Sequence, residues 1–164
     1  YEQSCKAIEE PVRKFSVEYS KDAIDKIVGI TKGYPFFIQQ LCQIVYNNTN
    51  EKLIQKSHIE SCMNTFFKVL DIGFFKVRYE RCSDGEKRFI FAMVKCEELP
   101  CTISNVAKNL GKKVKTISPI RAQLINKGVI FPVRHSELNF TVPEFDNFIR
   151  RLDEYKQWSE DCHE

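Results

Sequence analysis

The stretch from Ile30 to Cys42 constrains the fold more than any other, because one helix must end and a second must begin within five residues. Gly33 can adopt the left-handed conformation that closes a helix. Pro35 suits the first position of the next helix, where its missing N–H is not needed. Apolar residues then recur at helical spacing, namely Phe37, Ile38, Leu41, Ile44 and Val45. The pattern predicts a tight corner between two helices, as occurs in many all-α cores.

The composition fits one ordinary domain or two small ones. The 164 residues are 43% apolar and include 13 phenylalanines, which is enough for a packed core. The net charge is only +3, so any case for nucleic-acid binding depends on where the charges lie. No apolar run approaches the roughly 18 residues of a membrane span, and Tyr1–Cys5 does not look like a signal peptide. We therefore expect a cytoplasmic protein without membrane association. Because the chain does not begin with methionine, we also expect it to be a piece of a longer protein.

The cysteines are scattered, and no Cys-x-x-Cys pair is present. Zinc sites need clustered cysteine and histidine, so we expect no metal site. Cys96 and Cys101 flank one loop and could form a local disulfide, but in the cytosol we expect reduced thiols. His58 is expected in the first turn of a helix, and His135 at the tip of a hairpin. The complete set of cysteines is Cys5, Cys42, Cys62, Cys82, Cys96, Cys101 and Cys162.

Residues 1–70 predict four helices with no strand between them. Ser20 is expected to be the N-cap of the second helix. Ser57 and Glu60 have the spacing of a capping box, which predicts the start of the fourth. The four predicted helices are a segment from Glu2 to Arg13 interrupted by Pro11, one from about Ser20 to Val28, one from Pro35 to about Asn50, and one from Ser57 to Leu70.

Residues 71–164 predict a different order of elements. After an aromatic connector over Asp71–Tyr79, a second capping box, Ser83-x-x-Glu86, begins a helix. Next come a short helix that ends at Gly111, a longer one from near Pro119 to Gly128, two strand-like runs at 129–131 and 138–142, and a closing helix after Pro143. Helix, short helix, turn, second helix and hairpin is the order of a winged helix-turn-helix, in which the hairpin is the wing.

Together these motifs resemble the C-terminal region of prokaryotic AAA-family ATPases related to origin-recognition and STAND proteins. The resemblance implies a mainly α fold, with a four-helix AAA+ lid at 1–70 and a winged-helix domain with a C-terminal helix at 71–164. It also implies that the corner Gly33-Tyr34-Pro35 contacts a bound nucleotide. The segments that carry it are Pro11, 33–39, 70–78, 86–88, 120–128 and 140–151.

In that family, a P-loop domain that binds and hydrolyses ATP precedes these parts. The sequence contains no G-x-x-x-x-G-K-[S/T] motif and no recognised enzyme signature. We therefore expect a non-catalytic part, with no cofactor of its own, of a longer ATPase that uses ATP and magnesium. The N-terminal ATPase domain of the same chain would be its partner and the route to any oligomer. Origin-recognition lids often carry an arginine near this corner, whereas here Tyr34 and Phe36 flank Pro35.

The near-neutral total charge conceals a basic segment. Residues 99–136 contain no Asp or Glu, whereas the chain after Ser136 is acidic. Such a basic face is the electrostatic footprint of a protein that binds double-stranded DNA. The residues expected to contact DNA are Lys112, Lys113, Lys115, Ser118, Arg121, Gln123, Lys127 and Arg134.

Different members of this set are expected to do different work. Lys112, Lys113 and Lys115 would meet phosphates near a helix N-terminus. Ser118, Arg121 and Gln123 could reach base edges. Winged helices also mediate protein contacts, so the alternative is a protein-docking or autoregulatory module that does not bind DNA.

Overall fold

The structure, a computed structural model, describes residues 1–161 apart from the side chain of Ser159. The chain divides into two compact units. The N-terminal unit is Tyr1–Ile72 and the C-terminal unit begins at Gly73, so the boundary lies two residues beyond the expected one. Helices predominate in both units, which confirms the prediction of a mainly α fold.

The N-terminal unit contains the four expected helices and also a pair of very short strands. Strands β1 and β2 are parallel, with Glu18 opposite Leu53 and Tyr19 opposite Ile54. The expectation of no strand here was wrong, because two-residue strands are too short to leave a periodic signal. The elements are α1 (Glu2–Arg13), β1 (Glu18–Tyr19), α2 (Lys21–Thr31), α3 (Pro35–Asn48), β2 (Leu53–Ile54) and α4 (Lys56–Leu70).

Helix α3 forms the centre of this unit and packs against α1, α2 and α4. The apolar residues that predicted it are buried, and the Phe37 ring meets the Phe66 ring of α4 edge-on, with 6.2 Å between centroids. Edge-to-face geometry is a favourable arrangement for two aromatic rings. Helical spacing in the sequence therefore identified the buried face of α3 correctly.

The corner before α3 has the predicted geometry with one additional residue. Helix α2 ends at Thr31, and both Lys32 (φ 51°) and Gly33 (φ 73°) are left-handed. The Tyr34 N–H donates to the Thr31 carbonyl at 2.9 Å, and Pro35 is the first residue of α3. A Cβ on Gly33 would lie 3.3 Å from Ser4 Oγ of α1. The close approach of α1 and the positive φ both favour glycine here.

Two expected helix boundaries in this unit differ from the structure. Pro11 does not interrupt α1; it lies inside the last turn of the helix, which ends two residues later at Arg13. The Ser57–Glu60 capping box is not formed. Instead, α4 begins at Lys56, and His58 Nδ1 accepts the N–H of Gln55 at 3.0 Å. His58 does lie in the first turn, as predicted.

The C-terminal unit has the order of a winged helix-turn-helix. Helices α6, α7 and α8 are followed by the β4–β5 hairpin, and β3 adds to it in the antiparallel order β3-β5-β4. The expected aromatic connector is itself helical. The elements from the boundary onwards are a π-helical turn (Asp71–Phe75), α5 (Lys76–Glu80), α6 (Asp84–Val94), β3 (Cys101–Thr102), α7 (Ile103–Asn109), α8 (Val114–Asn126), β4 (Ile130–Arg134), β5 (Glu137–Phe140), α9 (Phe145–Arg151) and α10 (Asp153–Asp161).

Helix α8 begins at Val114, five residues before the expected start at Pro119. Proline is common in the first turn of a helix, but Pro119 is the sixth residue of α8 and lies inside it. The Ser118 hydroxyl, one residue before the proline, donates to the Val114 carbonyl at 2.9 Å. The predicted end of the helix is close to correct, with Asn126 last and Gly128 left-handed at φ 66°.

Helix α6 is the centre of this unit. Its residues from Phe89 to Val94 are all buried, and α7, α8, α9 and α10 pack around it. An aromatic cluster covers one side, where Phe148 of α9 stacks on Phe75 with 5.4 Å between ring centroids. A helix buried on all sides is typical of a central core helix.

Three further observations apply to residues 1–161, the range that the structure describes. Within residues 1–161, no helix is long and apolar enough to cross a membrane. The same range contains no group of three or more His, Cys, Asp or Glu placed to hold a metal ion. Its cysteines are free thiols. Cys162 and His163 lie outside the described residues.

The two glycines of the α2 region should respond oppositely to alanine. Gly29 lies inside α2, and a Cβ added there would meet nothing within 4 Å, so Gly29→Ala should raise the free energy of unfolding by up to about 1 kcal/mol. Gly33 is left-handed and close to Ser4, so Gly33→Ala should lower it by about 1–2 kcal/mol. Urea unfolding followed by circular dichroism measures both. Equal effects of the two substitutions would contradict the described corner.

Candidate nucleic-acid interface

Hydrogen bonds hold both the start of α7 and the turn between α7 and α8. The Thr102 hydroxyl accepts the Asn105 N–H at 3.2 Å and caps α7. At the other end, Gly111 is left-handed, and the Lys112 N–H returns to the Ala107 carbonyl at 2.9 Å. Ala107 is buried, as expected for a small residue where two helices approach closely. The turn therefore presents a defined backbone just before α8.

Three predicted lysines surround the N-terminus of α8. Lys112 precedes the helix, Lys113 is its N-cap and Lys115 is its second residue, and all three are exposed. The first N–H groups of a helix have no partner within it, and together with the helix dipole they favour an anion. The structure thus places three exposed lysines at the N-terminal end of a 13-residue helix, an end that favours phosphate.

The outward face of α8 differs in part from the predicted one. Ile117 and Leu124 are buried and mark the inward face. Arg121 lies one turn from each and is half-buried, so it flanks the core rather than the exposed face. Arg121 therefore borders the apolar stripe and does not point directly away from it.

Ser118 and Gln123 are exposed on the two flanks of the outward face. The Ser118 hydroxyl already donates within the helix, which leaves its oxygen as an acceptor. Ala122 and Asn126 share the outward face with Lys115, because they follow it by seven and eleven residues. Sequence reasoning missed both of these residues. The spacing of Ile117 and Leu124, once α8 is known to begin at Val114, identifies them.

The wing combines one predicted cation with apolar side chains. Arg134 is at the end of β4 and its side chain is 80% exposed, with Nε 3.8 Å from Glu137 Oε2. His135 lies in the turn, as predicted. On the outer strand β4, Phe131 and Val133 are 41% and 43% exposed. The wing therefore offers a mixed basic and apolar surface.

Lys127 differs from the other predicted DNA-binding residues. Its ammonium donates to Glu86 Oε2 at 2.6 Å and to the Arg81 carbonyl at 3.0 Å. It also lies at the opposite end of α8 from Lys113, roughly 20 Å along the helix axis. Its charge is compensated within the protein, so the structure gives Lys127 a structural partner in place of the predicted role at DNA.

The partner, Glu86, is a buried carboxylate with its side chain 2% exposed. It completes the predicted capping box, because it accepts the Ser83 N–H at 2.7 Å while Ser83 Oγ accepts the Glu86 N–H. Burial acts to raise the pKa of Glu86, but the hydrogen bonds from Lys127 and the Ser83 N–H outweigh it, so the pKa is lowered. Glu86 is therefore a buried anion with two donors.

An acidic residue lies beside the basic turn. A cleft of about 530 Å³ is lined by three cations, Arg88, Lys108 and Lys112, together with Trp158 and Asp161 of α10. The carboxylate reduces the positive potential on this side, because opposite charges partly cancel at short range. The basic surface is therefore directed towards Lys113, Lys115 and the wing.

The corner predicted to contact nucleotide lies in the N-terminal unit. Pro35 and Phe36 are exposed, while Gly33 and Tyr34 are half-buried. The Tyr34 ring packs on Phe37, with 4.8 Å between centroids. The three residues Gly33, Tyr34 and Pro35 are thus contiguous at one exposed helix start.

Comparison with known proteins adds little about activity. A family described as a domain of unknown function, DUF8462, matches residues 72–149, slightly less than half of the chain. No curated protein matches. Among solved structures, a proline-to-glycine variant of RuvB from Thermotoga maritima is similar with a TM-score of 0.39 and 14% identity, over 91% of this chain and 48% of that one.

A second similar structure is that of the Thermotoga maritima RuvB Holliday junction branch migration motor, with a TM-score of 0.36 and 15% identity over 87% of this chain and 46% of that one. The present chain thus spans about half the length of the solved structures that it matches. At these TM-scores and identities, neither match says what this chain does.

The ion pair between Glu86 and Lys127 should stabilise the C-terminal unit. Lys127→Met keeps the aliphatic stem but leaves a buried carboxylate with one donor fewer, so the free energy of unfolding should fall by about 1–3 kcal/mol at pH 7. Lys115→Met, on an exposed lysine, is the matched control and should change it by less than about 0.5 kcal/mol. Urea unfolding measures both.

The ion pair between Glu86 and Lys127 also predicts how the free energy of unfolding depends on pH. Because the pKa of Glu86 is lower in the folded than in the unfolded chain, its contribution is fully present above about pH 4.5, the ordinary value for a glutamate. It is lost as the pH falls through the folded value. The difference between wild type and Lys127→Met should therefore shrink on acidification below that pH. A difference independent of pH would contradict the assignment.

Proposed function

We propose that the C-terminal unit binds double-stranded DNA through the N-terminus of α8 and the wing. The observation that carries the proposal is the position of Lys112, Lys113 and Lys115, all exposed around one helix N-terminus. They belong to a segment, residues 99–136, that contains no Asp or Glu. A phosphate placed there meets both ammonium groups and backbone N–H groups.

Each part of the surface has its own role in this proposal. The three lysines neutralise phosphates and release counterions, which supplies affinity without sequence preference. Gln123, exposed on α8, is an amide side chain able to meet base edges in the major groove. Arg134, on the wing, reaches the neighbouring backbone or minor groove. With few phosphate contacts, Kd should be on the order of 10⁻⁴–10⁻⁶ M at physiological salt.

Replacing the three lysines together should weaken binding and flatten its salt dependence. The slope of log Kd against log salt concentration should fall by about 0.9 for each lysine that contacts a phosphate. Fluorescence anisotropy with a labelled duplex, measured over a range of salt concentrations, gives both quantities for Lys112→Ala, Lys113→Ala and Lys115→Ala combined.

The matched control removes the same total charge from exposed lysines of the N-terminal unit, Lys14→Ala, Lys21→Ala and Lys68→Ala combined. It should leave the slope nearly unchanged. Equal weakening by the two triple variants would mean that total charge alone governs binding. No binding of the wild-type chain at low salt would rule out the DNA proposal.

The second candidate is a protein-docking module, favoured by the wing itself. Phe131 and Val133 are large apolar side chains exposed on β4, and Val114 is exposed at the start of α8. Such apolar side chains are better suited to contact a protein partner than to contact phosphates. The two candidates differ in salt sensitivity, since protein docking through apolar contacts does not release condensed counterions.

We further propose that the N-terminal unit is the lid of a AAA+ type ATPase that acts in the cytoplasm. Its support is the arrangement of four helices around α3 and the exposed start of that helix at Pro35. In this proposal the ATPase domain precedes the chain, binds ATP and magnesium, and is the only catalytic part. The sequence has no P-loop motif, so the 164-residue chain by itself should hydrolyse no ATP.

Pro35→Ala should weaken ATP affinity in a longer protein that includes the ATPase domain. Pro35 holds the first turn of α3 in its helical φ, and alanine leaves that turn free to fray. Titration with a fluorescent ATP analogue measures the effect. Gln39→Ala, exposed one turn further along α3, is the control and should bind as wild type. Unchanged affinity in Pro35→Ala would contradict the lid proposal.

A further inference from the structure

Two cysteines of the C-terminal unit lie side by side. Cys96 follows α6, and Cys101 is the first residue of β3, where it pairs with Leu138 of β5. Both are free thiols, and only five positions separate them in the chain. Both line an open cavity of about 530 Å³, whose lining also includes two cations, Lys95 and Lys108, and two carboxylates, Glu97 and Glu98. Cys96 is 8% exposed and Cys101 2%, so Cys96 is the more accessible of the pair.

The surroundings of Cys96 stabilise a negative sulfur. The Asn109 side-chain amide donates to Cys96 Sγ at 3.5 Å and to the Ala92 carbonyl at 2.9 Å. Hydrogen bonds from Cys101 and Asn109 lower the pKa of Cys96, although burial opposes them. The pKa of Cys101 is raised by its hydrogen bond to Cys96 and by burial. Cys96 is therefore the more accessible of the two sulfurs and the one that accepts the Asn109 amide, while in its thiol form it donates to the Ala92 carbonyl at 3.4 Å.

We propose that Cys96 and Cys101 form a reactive dithiol that a hydroperoxide converts to a disulfide. The proposal rests on two free thiols that line one open cavity and on the Asn109 amide that donates to Cys96 Sγ, and it does not depend on DNA binding or on an ATPase domain. Cys96 is the attacking thiol and Cys101 the resolving one. Peroxide-sensitive cysteines commonly have this pairing of a thiolate with a resolving neighbour.

The reaction takes two steps. In the first, the Cys96 thiolate attacks one oxygen of the hydroperoxide, the O–O bond breaks, and the departing oxygen takes a proton to give an alcohol, or water from hydrogen peroxide. Cys96 is then a sulfenic acid. In the second, the Cys101 sulfur attacks the sulfenic sulfur, the S–S bond forms, and hydroxide leaves with the Cys101 proton as water. Two thiols are oxidised by two electrons and one peroxide is reduced.

Cys82 offers a natural comparison within the same unit. It is 6% exposed, and its thiol donates to the carbonyl four residues earlier, that of Arg78, at 3.5 Å. Cys96 makes the equivalent bond to the Ala92 carbonyl at 3.4 Å. The pKa of Cys82, in contrast, is raised by burial and by the nearby Glu86 carboxylate. The two thiols match in exposure and in backbone bonding, so a difference in reactivity reports the effect of Cys101 and Asn109.

The experiment treats the reduced 164-residue chain with hydrogen peroxide and then alkylates the remaining thiols. Trypsin cleaves after Lys95 and Lys108, so one peptide, 96–108, contains both cysteines. We expect this peptide to escape alkylation and to be lighter by two hydrogen atoms. A glutamate-specific protease cuts after Glu98, and the two halves should stay joined until a reductant is added. Alkylation of both cysteines, or a disulfide to another cysteine, overturns the proposal.

Two further measurements distinguish the attacking role of Cys96 from the resolving role of Cys101. In Cys101→Ser, Cys96 should accumulate as a sulfenic acid that dimedone traps, while Cys82→Ser should still form the disulfide. In the untreated wild-type chain, which avoids any effect of substitution on folding, iodoacetamide should modify Cys96 at least about tenfold faster than Cys82 at pH 7. Equal rates, or no dimedone adduct in a folded Cys101→Ser chain, contradict the proposal.

Discussion

The C-terminal unit depends on a buried anion held by two parts of the chain that are far apart in sequence. Glu86 accepts from the Ser83 backbone at the start of α6 and from Lys127 just after α8. A buried carboxylate is tolerated only when donors compensate the lost hydration. The ion pair therefore sets where α8 ends relative to the start of α6. Strand β4 begins at Ile130, two residues after Gly128, and the Thr141 hydroxyl donates to the Gly128 carbonyl at 2.6 Å. Both ends of the wing hairpin therefore lie next to the end of α8 and its ion pair.

Elements with a local chemical signal could be predicted from the sequence. Gly33 and Pro35 mark the corner, Ser83 and Glu86 mark the start of α6, and Gly111 marks the end of α7, because each depends on neighbours within a few residues. The burial of Glu86 left no such signal. A Ser-x-x-Glu box predicts a solvent-exposed carboxylate equally well, and only Lys127, 41 residues later, explains why this one lies inside.

The remaining differences have the same origin in non-local structure. Strand β3 has two residues and exists only through its register with Leu138 and Glu137 of β5. Pro119 resembles a helix start because nothing nearby reveals that the helix has already begun at Val114. That displacement of the start also affected the candidate site. With α8 beginning at Val114, Ile117 belongs to the helix, and its spacing from Leu124 shows that Arg121 borders the buried face while Asn126 lies on the outward face.

The outer strand of the wing combines exposed apolar side chains with a backbone that resists pairing. Strand β4 lies at the edge of the three-stranded sheet, contains Pro132 and has a bulge between Pro132 and Arg134. Proline removes a backbone donor, and a bulge bends the strand, so both devices protect an edge from adding another strand. Phe131 and Val133 can therefore be displayed on the surface without making the hairpin a template for aggregation. A partner that binds this surface must recognise the side chains, because the edge of β4 offers no regular row of backbone hydrogen-bonding groups.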